Sequence, residues 1–313
     1  MLSSSSFCIG TRGSPLAQAQ ADEFKSLLTA AFPELVDRVK IKVIKTTGDM
    51  VQDRALSEIG GKGLFTKEID NAMLDGRIDV AVHSMKDVPT WLPDGIILPC
   101  MLKREDVRDV FISDKAKSIA DLPKGSVIGT ASLRRQALIL HHRPDLKVVT
   151  FRGNIETRLK KLAAGDVDAT LLALAGLNRL GRADIATSII EPEEILPAVA
   201  QGAIGITCRA DDAKTQLYLK TLNHNETVVR ITAERALLKV LDGSCRTPIA
   251  ALGEISTDGT FLLRGLALRP DGSELLETTR RGSVGEAEAL GRDAGEELKN
   301  CASPGFFEVT ELS

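Results

Sequence analysis

The sequence has no surplus of charge of either sign: of 313 residues, 40 are Lys or Arg and 43 are Asp or Glu, for a formal net charge of −3. A chain this balanced offers no global attraction to nucleic acid or to an anionic membrane surface, so any anion site has to be a local cluster. Paired cysteines are also missing. Cys8, Cys100, Cys208, Cys245 and Cys301 are odd in number and far apart, with no C-x-x-C. This argues against a disulfide framework and against a structural metal, and fits a reducing compartment. The longest uncharged apolar-leaning stretch, residues 195–208, falls short of the ~18 residues of a membrane span. Met1-Leu2-Ser3-Ser4-Ser5-Ser6 has neither the basic start nor the apolar core of a signal peptide. Gly60-Gly61-Lys62-Gly63 is not a P-loop, because the upstream glycine and the Ser or Thr after the lysine are absent. The expectation is a soluble protein of a bacterial cytoplasm, or of a plastid stroma where a transit peptide has been removed.

What is present is a repeated unit of strand, small polar turn and helix start, in a chain long enough for two or three domains. Residues 7–10 read as a buried strand, and Thr11-Arg12-Gly13-Ser14-Pro15 as the turn into a helix capped by Ser14, with Pro15 in its first position. Residues 39–46 alternate as a half-buried strand does. The polar, glycine-containing stretch 47–63 then reads as a mobile loop whose Lys62 can close over an anionic ligand. A helix over 64–74 and a strand over 78–82 lead to His83-Ser84-Met85-Lys86-Asp87. Asp87 beside Lys86 is a surface pair of little energetic weight or, in a desolvated cleft, a carboxylate poised for proton transfer.

The unit recurs where strand 126–130 meets Ala131-Ser132-Leu133-Arg134-Arg135, and where strand 147–151 meets Arg152-Gly153-Asn154-Ile155-Glu156-Thr157-Arg158. Two arginines in the first turn of a helix capped by Ser132 oppose its dipole, which a bound polyanion would offset. Taken singly each arginine reads as a solvated surface residue. As a set at strand ends, where ligands gather in open α/β sheets, they suggest a ligand with several acidic groups, because guanidinium forks pair bidentately with carboxylates.

Residues 168–174 read as a buried strand and 196–208, with Gln201-Gly202, as a segment returning the chain to its first lobe. A helix over 226–240 stops before Leu241-Asp242-Gly243-Ser244-Cys245-Arg246-Thr247-Pro248, where Gly243 suits a helix end and Pro248 prevents its resumption. Cys245 at this tip is either a small buried hydrophobe or, with Arg246 favouring the thiolate, a nucleophile. Strands over 249–255, 261–268 and 275–281 are separated by the hairpin signals Asp258-Gly259 and Asp271-Gly272, and a helix over 285–301 follows. The expected fold class is α/β and α+β. Two α/β lobes (1–101 with 201–222, and 102–200) are joined by hinges near 100–104 and 200. A small C-terminal α+β domain (223–313) adds a three-stranded antiparallel sheet with helices.

Together, Gly10-Thr11-Arg12-Gly13-Ser14-Pro15-Leu16-Ala17, Gly60-Gly61-Lys62-Gly63-Leu64-Phe65, His83-Ser84-Met85-Lys86-Asp87, Ser132-Leu133-Arg134-Arg135, Arg152-Gly153-Asn154 with Arg158, and Gly243-Ser244-Cys245 resemble the porphobilinogen deaminase (hydroxymethylbilane synthase) family over nearly the whole chain. The resemblance implies periplasmic-binding-protein-like lobes and an enzyme that joins four porphobilinogen molecules head to tail into linear hydroxymethylbilane, releasing ammonia. It implies a covalent dipyrromethane cofactor, built from substrate and held by a thioether to Cys245. Asp87 is then the catalytic carboxylate, and Lys86, Thr130, Ser132, Arg134, Arg135, Arg152 and Gln201 bind the cofactor. Arg12, Ser14, Arg152, Asn154 and Arg158 bind substrate, and Lys62 lies on a lid. A monomer is implied, with hand-off of product to uroporphyrinogen-III synthase and no nucleic-acid or membrane partner. Around the thiol this chain reads Asp-Gly-Ser-Cys-Arg-Thr-Pro where other members carry Gly-Gly-Cys-Gln-Val-Pro. The rival readings are a two-lobed small-anion-binding protein without catalysis, a cysteine-nucleophile acyl transferase and a catalytically dead relative.

Overall fold

The computed structural model describes residues 6–50, 63, 65–241 and 247–307, without the side chains of residues 49 and 50. Lys62, Cys245, residues 51–62 of the expected lid and the turn at 242–246 lie outside the described residues. The described chain divides into two compact units. The first takes its residues from Met1–Asp53, Gly61–Glu105 and Gly202–Val228, and the second from Asp106–Gln201 and Val229–Ser313.

In the first unit, strands β1 (Phe7–Thr11), β2 (Val39–Val43), β3 (Val80–Ser84) and β4 (Ile96–Met101) join β10 (Ile204–Arg209) from later in the chain in a sheet of order β2-β1-β3-β10-β4. β1 runs parallel to β2 and β3, whereas β10 is antiparallel to β3 and β4. Helix α1 (Pro15–Ala31) begins as the sequence indicates, with the Ser14 hydroxyl accepting a 3.2 Å hydrogen bond from the Ala17 amide. Its Ala17, Ala21, Phe24 and Leu28 are buried at helical spacing, and the last three share a core with Ile9, Val80, Val82, Ile204 and Ile206. Helix α2 (Thr47–Met50) is a single turn, and α3 (Lys67–Leu74) buries Ile69, Ala72 and Met73.

The second unit repeats this plan. Strands β5 (Asp109–Ile112), β6 (Val127–Gly129), β7 (Lys147–Val149), β8 (Ala169–Ala173) and β9 (Ser188–Ile190) form a sheet of order β7-β6-β8-β5-β9. β6 is parallel to β7 and β8, and β5 antiparallel to β8 and β9, the same senses in the same places as in the first sheet. Helices α4 (Leu133–His142) and α5 (Ile155–Ala163) follow β6 and β7, and α6 (Leu174–Arg179) follows β8. The first unit adds α7 (Ala213–Leu222), after which α8 (Asn225–Val240) leads into the C-terminal segment.

That segment holds the expected three-stranded antiparallel sheet, β11 (Ile249–Ile255), β12 (Thr260–Leu268) and β13 (Leu275–Ser283), with α9 (Ala287–Cys301) after it. Its Ala250, Leu252, Leu266 and Leu268 share one buried cluster with Leu138 and Ile139 of α4. The small sheet therefore supports the helix that carries Arg134 and Arg135. The β12–β13 turn clasps the other end of α4: the Gly272 carbonyl lies 2.9 Å from His141 Nδ1, and Gln136 Nε2 donates to the Pro270 carbonyl at 3.3 Å.

The sequence reading has no strand over β4, because Pro99 interrupts it. β4 is the last strand of its sheet, where a residue without an N–H is tolerated. The short β9 and helix α7 are likewise absent from that reading, and the strand expected over 78–82 is displaced two residues, to Val80–Ser84.

Gly272 has φ +75°, and a Cβ there would lie 2.6 Å from the His141 nitrogen and 2.7 Å from the Ala137 carbonyl oxygen. Gly272→Ala is expected to destabilise the protein by about 3 kcal/mol, from the left-handed strain together with backbone displacement. Denaturant unfolding at pH 7 measures this, and a loss below about 0.5 kcal/mol would show that the clasp is loose.

Candidate functional site

In the first unit, β1 delivers Arg12 and β3 delivers the single 3₁₀ turn Met85–Asp87 to neighbouring strand ends. Arg12 Nη1 lies 3.4 Å from Asp87 Oδ2, and the Arg12 guanidinium carbon sits 4.0 Å from the centroid of the Phe65 ring. The two ion-pair side chains are 22% and 32% exposed, so both remain reachable from solvent. A cavity here is lined by polar groups from Arg12, Ser14, Gln20, His83, Lys86 and Asp87. His83 is buried, with Nε2 3.0 Å from the Thr207 hydroxyl. Burial first, and the Arg12 charge second, lower its pKa to about 4, so the imidazole is neutral at pH 7. Sequence reasoning gave no site role to Phe65 or Gln20, and named His83 only within its motif and as a possible neighbour of Cys245. Only the fold reveals that they meet Arg12 and Asp87.

The second unit holds the arginines. Asp109, the first residue of β5, is fully buried. It accepts from Arg134 Nη2 at 2.8 Å, from Arg135 Nη2 and Nε at 2.8 and 3.1 Å, and from Gln201 Nε2 at 2.8 Å. Burial alone would raise its pKa. The guanidiniums of Arg134 and Arg135 overcome that and hold it below the usual carboxylate range. Arg134 Nη1 also donates to the Leu196 carbonyl at 2.7 Å, and Arg135 Nη1 to that of Leu171 at 2.9 Å. Much of the donor capacity of these two arginines is thus turned inward. The anion that faces them among the described residues is Asp109. The sequence hid it, because it sits at the end of a charged run, Lys103 to Asp109, that reads as a solvated loop.

Arg152 and Arg158 are placed differently. Arg152 Nη1 is buried with no hydrogen-bond partner among the described residues, as is Arg134 Nε. Arg158 donates through Nε to the Gly153 carbonyl at 3.0 Å. Burial, and then the positive charges of Arg135 and Arg152, lower the Arg158 pKa to about 10. Both side chains are half-buried, a surplus of positive charge that an anion would relieve.

Three of the uncharged residues singled out from the sequence are helix caps. Ser14, Ser132 and Asn154 each accept a hydrogen bond from the first turn of α1, α4 and α5, through the amides of Ala17, Arg135 and Thr157. The cap occupies an acceptor lone pair, not the hydroxyl or amide hydrogens. Thr130 Oγ1 accepts from the Ser132 amide at 3.1 Å, and Lys86 is exposed on its 3₁₀ turn. No helix among the described residues is long and apolar enough to cross a membrane.

The fold and these groups define a protein of helix-flanked α/β sheets that concentrates cations at strand ends. A family model for the porphobilinogen deaminase dipyromethane cofactor binding domain matches residues 7–217, and one for the C-terminal domain of porphobilinogen deaminase matches residues 228–300. A chloroplastic porphobilinogen deaminase of Oryza sativa subsp. japonica is 60% identical over 304 residues, covering 96% of this chain and 85% of that protein. A porphobilinogen deaminase of Nitrobacter hamburgensis is 57% identical over 301 residues, covering 96% and 95%. Among solved structures, the methionine-binding protein MetQ is similar at 14% identity and a TM-score of 0.43, over 76% of this chain and 95% of that one. The chain belongs to the porphobilinogen deaminase family. The family's dipyrromethane carries acidic side chains, and the unpartnered Arg152 Nη1 and Arg134 Nε, with the strained cation of Arg158, fit such a group.

Asp109→Asn is expected to destabilise the protein by about 3–5 kcal/mol, because it leaves two buried guanidiniums facing an uncharged amide. Asp87→Asn, at a partly exposed pair, should change stability by less than about 1 kcal/mol. Chemical denaturation of the two variants side by side checks the contrast. Equal losses would mean that Asp109 is no more structural than Asp87.

Proposed function

We propose that the cavity around Asp87 binds porphobilinogen and expels its ammonia, and that Arg152 and Arg158 hold carboxylates of dipyrromethane and of the growing chain. The chain is an enzyme of the porphobilinogen deaminase family, a transferase of tetrapyrrole biosynthesis that carries dipyrromethane. The observation that carries the residue assignment is that Asp87 is the one carboxylate lining the cavity, among the described residues, beside Arg12, Lys86 and a neutral His83.

Porphobilinogen carries an aminomethyl ammonium and, on the next two ring carbons, acetate and propionate carboxylates. The Arg12–Asp87 pair is complementary to both: a substrate carboxylate takes the Arg12 fork, and the ammonium takes Asp87. A proton kept on the departing nitrogen lets the C–N bond break with release of neutral ammonia, and Asp87 holds that proton in place. The remaining methylene-pyrrole is a cation, and a preoriented carboxylate nearby lowers the barrier to forming it. A protonated His83 would oppose this charge, which its burial prevents. When bound through a thioether to Cys245, dipyrromethane supplies the nucleophilic pyrrole carbon on which the chain grows and stays through every cycle. Arg134 and Arg135 act mainly by keeping Asp109 and Gln201 in place, and Ser14, Thr130, Ser132 and Asn154 supply polar hydrogens at the helix starts. Lys62, outside the described residues, keeps the lid role that the family motif implies. The plastid name of the Oryza relative and the bacterial source of the other support a place in plastid stroma or bacterial cytoplasm, and the same reading makes the protein a monomer whose product passes to uroporphyrinogen-III synthase.

Asp87→Asn is expected to lower kcat about 10²–10³-fold while changing KM for porphobilinogen far less, with ammonia release as the readout. A kcat within about a factor of three of the parent would remove Asp87 from the chemistry. Intact mass of the purified protein should show an adduct of two pyrrole units that is absent from Cys245→Ser. An unmodified parent, still unmodified after incubation with porphobilinogen, favours anion binding without catalysis.

A further inference from the structure

Residues 196–201 touch the arginine cluster at both ends: the Leu196 carbonyl accepts from Arg134, and the Gln201 amide donates to Asp109 and to the Val107 carbonyl at 2.8 and 2.7 Å. Between them the Gln201 amide nitrogen closes a turn onto the Ala198 carbonyl at 2.9 Å. Ala200, in that turn, has φ +62° and is the one non-glycine with positive φ among the described residues. An L-residue is strained there, and glycine is the usual occupant. Ala200 is also 1% exposed, so its methyl packs in the interior and favours alanine over glycine. A conformation of this kind persists where surrounding contacts over-determine it.

The contact that does so comes from α8. Glu234 is fully buried, and its carboxylate accepts from the Ala200 amide through Oε2 at 2.7 Å and from the Gly253 amide through Oε1 at 2.8 Å. Gly253 lies on β11, an edge strand of the small sheet, where alternate amides have no ladder partner. One side chain thus ties the turn before Gln201, the edge of the C-terminal sheet and the helix running toward residues 242–246. Both amides donate, so both positions need an acceptor. A carboxylate supplies two, and a glutamine supplies one acceptor and one donor.

We propose that Glu234 is a positioning residue for the carboxylate-binding arginines: it holds Ala200 in its left-handed turn, and the turn sets Gln201 on Asp109 and Leu196 on Arg134. The inference rests on the reading of Arg152 and Arg158 as ligands for acidic side chains, and it adds the device that fixes the residues packed beside them.

The test uses the purified holoenzyme and four variants: Glu234→Gln, Ala200→Gly, the double variant and Arg152→Leu. Glu234→Gln is expected to raise KM for porphobilinogen roughly tenfold, as the loss of a charge-assisted hydrogen bond does. It should also lower the fraction of protein carrying the two-pyrrole adduct in the intact mass, and speed amide exchange in the peptide spanning 196–201. Ala200→Gly should leave kcat and KM near the parent, because glycine adopts the turn unaided. In the double variant KM and adduct fraction should return most of the way to the parent, a rescue that a merely structural role of Glu234 would not produce. An unchanged KM in Glu234→Gln overturns the proposal, as does a defect that Ala200→Gly fails to relieve. If Glu234→Gln does not accumulate as folded protein, recovery of folded, adduct-bearing double variant supports the proposal and continued loss overturns it. Arg152→Leu separates the two levels. An unchanged KM and adduct fraction there sinks the arginine reading and this inference with it. A raised KM in Arg152→Leu beside an unchanged one in Glu234→Gln sinks the inference alone.

Discussion

A carboxylate that water does not reach, Asp109, faces two guanidiniums and an amide in the second unit, and the cation cluster can exist because of it. Removing an arginine from water is expensive, and removing several into one region adds their mutual repulsion. Asp109 offsets this for Arg134 and Arg135, the pair nearest the start of α4. It does not reach Arg152 or Arg158, whose positive charge therefore stays uncompensated by any carboxylate bond among the described residues. One internal anion fixes the geometry of Arg134 and Arg135, and the remainder of the charge is left for the acidic ligand of the proposed reading.

The duplicated sheet explains why chemistry gathers at equivalent places. In each unit the first strand of the parallel pair ends in a turn whose hydroxyl caps the next helix: Ser14 after β1, Ser132 after β6. Asn154 does the same after β7. A cap satisfies the orphan amides of the first helical turn and brings the flanking basic side chains to the strand end. The placement of Arg12, Arg134, Arg135 and Arg158 thus follows from ordinary helix initiation, repeated on one topology. The units differ in what they gather. The first pairs its arginine with a partly exposed carboxylate, and the second holds two buried arginines on Asp109 beside two half-buried ones with no carboxylate bond among the described residues.

How much of this was legible depends on the range of the interaction. Caps, prolines at helix starts and Asp-Gly turns act over three or four residues, and helix starts at Pro15 and Leu133 and the strand Ile249–Ile255 are found where the sequence puts them. β10 is different. Its apolar run is plain, but nothing local says that it enters between β3 and β4 in the opposite sense, and that insertion completes the first sheet. Asp109 and Glu234 were illegible for a related reason. Each looks like one acid among neighbouring charges, and only partners 25 to 92 residues away for Asp109, and 19 and 34 for Glu234, show that both are buried. A buried charge is defined by its surroundings, which the linear sequence does not display.

The choice of arginine over lysine in the second unit follows from the same electrostatics. Burial and two neighbouring cations lower the Arg158 pKa to about 10, where it is still fully charged at neutral pH. A lysine starts from a lower pKa than an arginine, and the same burial and neighbouring cations would push it down toward the range where it loses its proton. A lysine cluster would relieve its own repulsion by deprotonating, and would lose the property that draws acidic side chains to it. Arginine cannot take that route. Its strain is relieved by an anion, so on the proposed reading each carboxylate that binds would remove a repulsion as well as add an attraction.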